Sequence, residues 1–334
     1  MSTWNQIMVM AKHLEVVPCN LCGSTKQRLT YEMPDAWYFP NEFFKVVECE
    51  SCGLGFVNPR PKFETIDRYY PKDFYDEFGR DPMFHLERYR REAAYLRFAR
   101  IPENCRPRLL DVGCANGGFA RYALKLGWEV EGIEVASNAR KISDFPVFRC
   151  PLPEIPVASE RYDAITAWAV LEHVHDPMSY FKAASRLLKA QGVFIFLVTN
   201  FESVTSRHLF REDVPRHLYF FSEKTVKKYL GSCGFSLEHV ASDNSIYNLR
   251  PVNWLRFFVR HLAGIPPITW GNLPESRQDY FRRIQRAPSF WLSIKYATTH
   301  PLTTLDRVLM PLFEQVQMVR NTYGITTYVA RKEK

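Results

Sequence analysis

From Arg108 onward the chain alternates short apolar runs with longer amphipathic ones. "RLLDV" is a strand, and "GGFARYALKLG" reads as a helix that Gly127 stops. "WEVEGIE" is a second strand, "SNARKISDF" is helical and "VFRC" is a short third strand. "YDAITAWAV" is a fourth strand running into a loop, and "PMSYFKAASRLLKAQG" is a helix with a glycine stop. "VFIFLVTN" is a buried fifth strand. "SEKTVKKYLGSCGF" is a helix with Ser222 as N-cap and Glu223 in its first turn, and "SLEHVAS" is a sixth strand. Strands alternating with helices in this way predict an α/β fold with a doubly wound sheet.

Two flanking regions change that picture. "YGITTYVARK" near the C-terminus has the look of a last, antiparallel strand. Between it and the sixth strand lies an insertion of about 80 residues, far longer than an ordinary connection. It contains "NWLRFFVRHLAGIPP", "FWLSIKYATTHPL" and "LDRVLMPLFEQVQ", which read as short apolar or aromatic helices with scattered basic residues. Of the net charge of +8, most sits in the last quarter of the chain: Pro251 to Lys334 holds 12 Lys and Arg against 5 Asp and Glu. Such a segment suits a cap over a ligand pocket that also rests on an anionic membrane surface through residues 251–314. It equally suits a helical cap or dimer interface buried against the core. No apolar run approaches the ~20 residues of a membrane span, and the first residues lack a signal-peptide pattern. The expected location is therefore cytoplasmic, with peripheral contact at the inner face of the membrane.

Eight cysteines in a chain with this profile argue against a disulfide framework. Four of them form two C-x-x-C turns, "PCNLCGS" and "VECESCGLGF", each followed by glycine. Two such knuckles bring four thiolates round one ion, and zinc is the default. Cys19, Cys22, Cys49 and Cys52 are the expected ligands of a structural zinc, closed to substrate. The stretch between the knuckles carries β-prone residues at both ends, as a zinc ribbon requires.

The turn after the first core strand reads Asp111-Val112-Gly113-Cys114-Ala115-Asn116-Gly117. Open α/β sheets bind ligands beyond the strand carboxyl ends where the winding reverses, here the first and fourth strands. Gly113 and Gly117 allow close backbone approach, and Glu134, after the second strand, is placed to accept from both hydroxyls of a ribose. The pattern is D-x-G-x-x-x-G rather than G-x-G-x-x-G. Asp111 would repel a pyrophosphate but welcome an ammonium or sulfonium group.

These residues resemble the class I S-adenosylmethionine-dependent methyltransferases. "LLDVGCANG" is similar to their first motif, "GIEVA" to their acidic loop and "YDAITAWAVLEHVHDP" to their fourth-strand motif, over roughly Phe84 to Ser242. "LLKAQGVFIFLVTN" departs from the family, which usually has PGG where this chain has Ala190-Gln191-Gly192. The resemblance implies a seven-stranded Rossmann-like sheet and S-adenosylmethionine as cofactor. Asp111, Gly113, Cys114 and Gly117 would hold its amino-acid end, and Glu134 its ribose. Ala169 and Leu171 would line the site. The family's acidic adenine contact has no counterpart in "RCPLPEIP". The implied organisation is a zinc ribbon over 1–65, a helical linker or lid over 66–107, the cofactor core over 108–242, a helical cap over 243–322 and a last strand and tail over 323–334.

An oxygen or carbon acceptor commonly needs a base. His173, in "LEHVHDP", falls just after the fourth strand, and His217, in "VPRHLYFFS", in the loop after the fifth. Either is a candidate, and either could equally be a loop histidine that shapes the pocket. Arg216 is a candidate for a substrate phosphate or carboxylate, or else pairs with Glu212 or Asp213. Tyr69 and Tyr70 are a candidate lid, or simple packing. "PRHLYFFS", "CGLGFVNPRP" and "RYYPKDFYD" together resemble a subgroup of sugar and small-molecule methyltransferases with an N-terminal four-cysteine knuckle. That subgroup implies a sugar or glycoconjugate hydroxyl as acceptor, small or lipid-linked, in surface-polysaccharide or natural-product biosynthesis. An RNA methyltransferase is the alternative, since zinc knuckles and a basic balance accompany that role too. "AWAVLEH" is not the Asn/Asp-Pro-Pro-aromatic loop that grips an exocyclic amine, and the knuckles lack a dense basic stripe. Nucleic acid is therefore disfavoured. A catalytically silent cofactor-binding module is a third reading, against which the intact Asp111, Gly113, Gly117 and Glu134 argue.

Overall fold

The computed structural model describes residues 13–35, 39, 41–70, 82–136, 144–207, 213–247, 254–264 and 301–333. The expected helix over "SNARKISDF" lies almost wholly outside them, as do Glu212 and the middle of the insertion.

The N-terminal part holds β1 (Leu14–Glu15), β2 (Gln27–Pro34), β3 (Phe43–Cys49), β4 (Gly55–Val57) and β5 (Arg60–Pro61). A helix α1 (Pro82–Ala93) leads to the core. The core then runs β6 (Arg108–Val112), α2 (Gly118–Lys125), β7 (Glu129–Ile133), β8 (Val147–Phe148), β9 (Tyr162–Trp168), α3 (Pro177–Leu187) and β10 (Leu188–Thr199). A single turn α4 (Val204–Arg207), β11 (Tyr219–Phe220), α5 (Glu223–Ser232) and β12 (Phe235–Ala241) follow. Two helices of the insertion, α6 (Trp254–Leu262) and α7 (Pro301–Val319), precede β13 (Ile325–Lys332).

Seven strands form one sheet in the order β12-β13-β10-β9-β6-β7-β8. β6 pairs parallel to β7 and to β9, β9 parallel to β10, and β13 runs antiparallel between β10 and β12. The doubly wound sheet with a final antiparallel strand is thus as the sequence predicts. The winding reverses between β6 and β9, which sets the ligand crevice at their carboxyl ends.

β10 is apolar on both sides because both faces of the sheet are covered. Phe194 and Phe196 meet Phe181 of α3, with ring centroids 5.7 and 5.4 Å away, and Phe181 stacks on Tyr229 of α5 at 4.9 Å. Each such buried ring contributes roughly 1.5–3 kcal/mol. Val193, Ile195 and Leu197 point the other way, into a cluster with Ala93, Phe119 and Ala123 from α1 and α2.

Two boundaries differ from the sequence reading. The helix expected to run to Gly192 ends at Leu187. Leu188 already pairs with Tyr162 as strand, and an irregular stretch with Gln191 at positive φ intervenes before pairing resumes at Val193. The fully buried Leu188 explains the early stop, since strand geometry places it in the core. α5 is capped as expected by Ser222, whose Oγ accepts from the Thr225 amide while Thr225 Oγ1 accepts from the Ser222 amide.

The N-terminal region with the four cysteines is not a free-standing unit. Its sheet runs β11-β4-β3-β2, so its last strand comes from the loop after β10, with Tyr219 opposite Phe56 and Phe220 opposite Gly55. Cys19, Val47, Leu54 and Phe56 share one buried cluster with Leu110, Ile165 and Tyr219. Among the described residues no helix is long and apolar enough to cross a membrane.

Candidate functional site

The paired C-x-x-C turns close on one point. Gly23 N donates to the Cys19 carbonyl and Gly53 N to the Cys49 carbonyl, each at 2.8 Å. These tight turns bring all four sulfurs together, with Cys19 Sγ 3.4 Å from Cys52 Sγ and Cys22 Sγ 3.6 Å from Cys49 Sγ. Tetrahedral Zn–S bonds of ~2.3 Å give S–S edges near 3.8 Å, so the donor set fits zinc in both chemistry and spacing. Burial pushes the Cys19 thiol up, and Cys52 up to about 11. At Cys49 burial also acts upward, but the amides of Cys52 and Ser51 outweigh it and lower the thiol to about 7. Asn20, inside the first knuckle, docks the cluster on the core. It donates to Asp176 Oδ1 at 2.8 Å and accepts from Met178 N at 3.0 Å and the Tyr229 hydroxyl at 2.9 Å.

At the switch point, β6 ends on Asp111 and Val112 and the chain turns through Gly113, Ala115 and Gly117, all at positive φ. Gly113 is needed for packing as well as for conformation: a Cβ there would lie 2.6 Å from Val170 Cγ2. At Gly118 a Cβ would meet the Tyr89 hydroxyl of α1 at 2.1 Å, so the first turn of α2 is open to α1. Glu134 braces the turn. Its Oε2 accepts from Ala115 N and its Oε1 from Ala136 N, each at 2.8 Å, leaving the outer lone pairs for a ligand.

Asp111 and Thr166 are register partners in neighbouring parallel strands, and Thr166 Oγ1 donates to Asp111 Oδ1 at 2.8 Å. Asp111 is 3% exposed. Burial raises its carboxyl to about 7; the Thr166 bond opposes this and the nearby Glu134 adds to it. The carboxylate thus lies under the turn rather than in the open crevice.

Two other residues expected at the cofactor site face inward. Cys114 is buried, its sulfur over Gly132, and burial pushes its thiol up, so only its backbone borders the crevice. Leu171 is fully buried in the cluster beneath α3 and α5. Ala169, at φ 56°, turns the chain out of β9 at the mouth.

The two histidines meet there. His173 and His217 lie edge to face with ring centroids 4.7 Å apart. His173 Nδ1 is 3.1 Å from the Arg216 carbonyl oxygen and 3.1 Å from the Tyr70 hydroxyl. A carbonyl only accepts, so the proton sits on Nδ1 and Nε2 is the bare nitrogen of a neutral imidazole. Burial and then the neighbouring His217 hold His173 down at about 3. One ligand atom each from Glu172, His173 and His217 lies within 4.8 Å of the others.

Arg216 and Tyr69 do not reach this mouth. Arg216 is fully buried: its Nη2 donates to Asp35 Oδ1 at 2.8 Å, its Nε to Asp213 Oδ1 at 2.7 Å and its Nη1 to the Tyr69 carbonyl at 3.1 Å. It is a strut between the N-terminal sheet and the His217 loop, not a substrate anchor. Tyr69 donates to Glu42 Oε2 at 2.9 Å, and its ring packs edge-on against Phe39 and Phe44. Of the tyrosine pair, only Tyr70 faces the histidines.

Sequence reasoning missed Arg88 and Glu92 of α1. Four apart on a helix rich in charge, they look like a solvated pair. Yet Glu92 is 1% exposed and close enough to Asp111 for the two carboxyls to repel.

Residues 83–240 match the family model described as "Methyltransferase domain". The ubiquinone biosynthesis O-methyltransferase of Paracidovorax citrulli (strain AAC00-1) is 33% identical over 104 residues, which are 28% of this chain and 44% of that protein. The protein of the same description from Cereibacter sphaeroides (strain ATCC 17029 / ATH 2.4.9) is 27% identical over 172 residues, 47% of this chain and 63% of that one. The chain thus spans less than two thirds of these curated relatives. A solved SAM-dependent methyltransferase from Archaeoglobus fulgidus aligns over 81% of this chain and 99% of its own, at 15% identity and a TM-score of 0.45.

Proposed function

We propose that this chain, which carries a class I S-adenosylmethionine-dependent methyltransferase domain over residues 83–240, transfers a methyl group to a hydroxyl of a small-molecule acceptor. The observation that carries the reading is the meeting of two assemblies at one sheet edge. Asp111, the glycine turn and Glu134 stand at the end of β6 and β7, and the Tyr70–His173–His217 cluster stands beyond the end of β9. The O-methyltransferase relatives support oxygen as the acceptor atom. The knuckle-and-"PRHLYFFS" pattern supports a sugar or glycoconjugate as its bearer.

The bound cofactor supplies an electrophilic methyl carbon on a positively charged sulfur. Glu134 offers two carboxylate oxygens, already aimed by amides, to the ribose hydroxyls. His217 is the base. It takes the proton from the acceptor hydroxyl as the oxygen is alkylated, and it stands on a loop that β11 and the Arg216–Asp35 pair hold rigid. His173, with its proton affinity held so low, is a poor base but a good wall: its neutral ring fixes where His217 and Tyr70 stand. Alignment of acceptor and methyl group in line then supplies much of the acceleration. Zinc takes no part in this chemistry; the four-cysteine cluster holds the fold beneath it.

The test is release of S-adenosylhomocysteine from S-adenosylmethionine in the presence of nucleotide sugars, lipid-linked sugars and polyprenylated phenols. Turnover with a sugar supports the full reading. Turnover only with a phenol keeps the oxygen acceptor and removes the sugar. No binding of S-adenosylhomocysteine to folded protein removes the methyltransferase itself.

A further inference from the structure

α7 is amphipathic in the sense opposite to that of a helix facing water. Both of its acids turn inward. Asp306 is fully buried, and its Oδ1 accepts from Leu255 N, in the first turn of α6, at 3.0 Å. Glu314 is buried too, and its Oε1 accepts from Asn244 Nδ2 at 2.9 Å and from the Tyr323 hydroxyl at 3.3 Å. Gln317, three residues on, is buried as well, and Phe313 stacks on Trp254 of α6 with ring centroids 4.1 Å apart. The outer side is aliphatic. Leu305, Val308, Leu312, Val316 and Val319 follow one another at helical spacing and all are exposed, Val308 and Leu312 by 69% and 68%. Single exposed leucines are ordinary, but five aligned along about four turns, with the acids on the other side, mark a contact face.

This helix is rooted at the rim of the sheet that carries the cofactor crevice. The insertion leaves β12 after Ala241, which pairs with Thr327, and returns through Ile325, which pairs with Thr199 at the carboxyl end of β10. β9 and β6 end on the same rim. The charges at the surface of α7 point to what covers the stripe. Arg307 is exposed, and so is Arg320 directly after the helix, whereas no carboxylate of α7 reaches the surface. A second copy seated there about a two-fold axis would bring two more arginines to the face and no exposed carboxylate of α7 to answer them. We infer that the outer face of α7 docks on an anionic lipid bilayer. The acyl boundary takes the aliphatic stripe and the anionic headgroups take the guanidinium groups. No described helix is long and apolar enough to cross a membrane, so α7 lies along the surface rather than through it. Docking there holds the crevice at the level of the headgroups. For the acceptor, and resting on the methyltransferase reading, this favours a lipid-linked molecule over a free one.

Co-sedimentation of the full, zinc-loaded chain with vesicles reads the contact directly. Vesicles of phosphatidylcholine mixed with phosphatidylglycerol are expected to carry the protein down, and phosphatidylcholine alone to carry down at least about tenfold less. Arg320→Gln is expected to weaken the anionic binding by about fivefold. Val308→Glu combined with Leu312→Glu is expected to weaken it by at least about tenfold, with melting temperature and S-adenosylhomocysteine affinity unchanged. No sedimentation of the unaltered chain with anionic vesicles, or equal sedimentation of the double variant, would overturn the assignment. Light scattering that showed a dimer which the double variant dissolves would also overturn it, because the stripe would then belong to a second copy. A double variant melting well below the parent would do the same, because the stripe would then pack within the chain. S-adenosylhomocysteine binding is measured on the same protein, and its failure removes the methyltransferase reading while leaving the bilayer contact standing.

Discussion

Arg216 and Asp35, 181 positions apart, form a two-nitrogen ion pair from which water is wholly excluded, with N–O distances of 2.8 and 3.2 Å. It ties the end of β2 to the loop that carries His217. Removing one partner strands the other charge in the interior, which costs about 3–5 kcal/mol. Asp35→Ala is therefore expected to lower the urea midpoint strongly. Arg216→Lys, which keeps the charge but loses the fork, is expected to cost less. Affinity for S-adenosylhomocysteine should change little in whatever fraction remains folded, because neither residue borders the cofactor crevice.

The histidine pair divides the chemistry unequally. His217→Ala is expected to reduce kcat by roughly 10²–10⁴ while leaving cofactor binding intact. His173→Ala and Tyr70→Phe are expected to give smaller losses, through the position of His217. Steady-state kinetics with whichever acceptor supports S-adenosylhomocysteine release checks both. If His217→Ala kept near-normal turnover, no histidine base would be needed.

Metal analysis should give about one zinc per chain, falling in Cys49→Ser. Stripping the metal with a strong chelator is expected to lower the melting temperature of the whole chain in one transition, since the cysteines share a core with β6 and β9. Asn20→Ala tests the same coupling with the metal in place. It removes three hydrogen bonds between knuckle and core, each contributing about 0.5–1.5 kcal/mol, with zinc content unchanged.

The buried carboxyls of Glu92 and Asp111 set a pH dependence in the cofactor-free protein. Folded Glu92 and Asp111 bind protons more tightly than the unfolded chain, whose groups titrate near 4.5 and 3.8. Folding takes up protons in this range, so their contribution is complete below about pH 4 and is lost as pH rises through about 7 and 8. Between pH 6 and 8.5 the melting temperature should fall, and it should fall less in Glu92→Gln. Differential scanning calorimetry across that range decides it.

The alternation of strands and helices, the glycine turn, the position of Glu134 after the second core strand and the cysteine cluster were legible in the sequence because each is written in short-range spacing, whereas the number of strands followed from the family resemblance and their order from the structure. The side of the backbone on which a residue ends up was not. Arg216 beside His217 looks like a second active-site group, yet one residue of offset sends it into the interior to an aspartate from another sheet. Tyr69 and Tyr70 part in the same way. Leu171 and Cys114 belong to the right motifs but face the core. Glu92 was illegible for the opposite reason: a charge four residues from an arginine reads as solvated until the helix is seen to bury it, near enough to Asp111 for the two carboxyls to repel.

The pairing of β11 with β4 has a consequence for synthesis. A ribosome releases the four-cysteine knuckles well ahead of β11, so the sheet they belong to stays one strand short until the whole stretch from Val57 to Tyr219 has emerged. Until then the exposed edge of Gly55–Val57 is open to any passing β-segment, and early zinc capture can shorten that interval of risk only on the knuckle side.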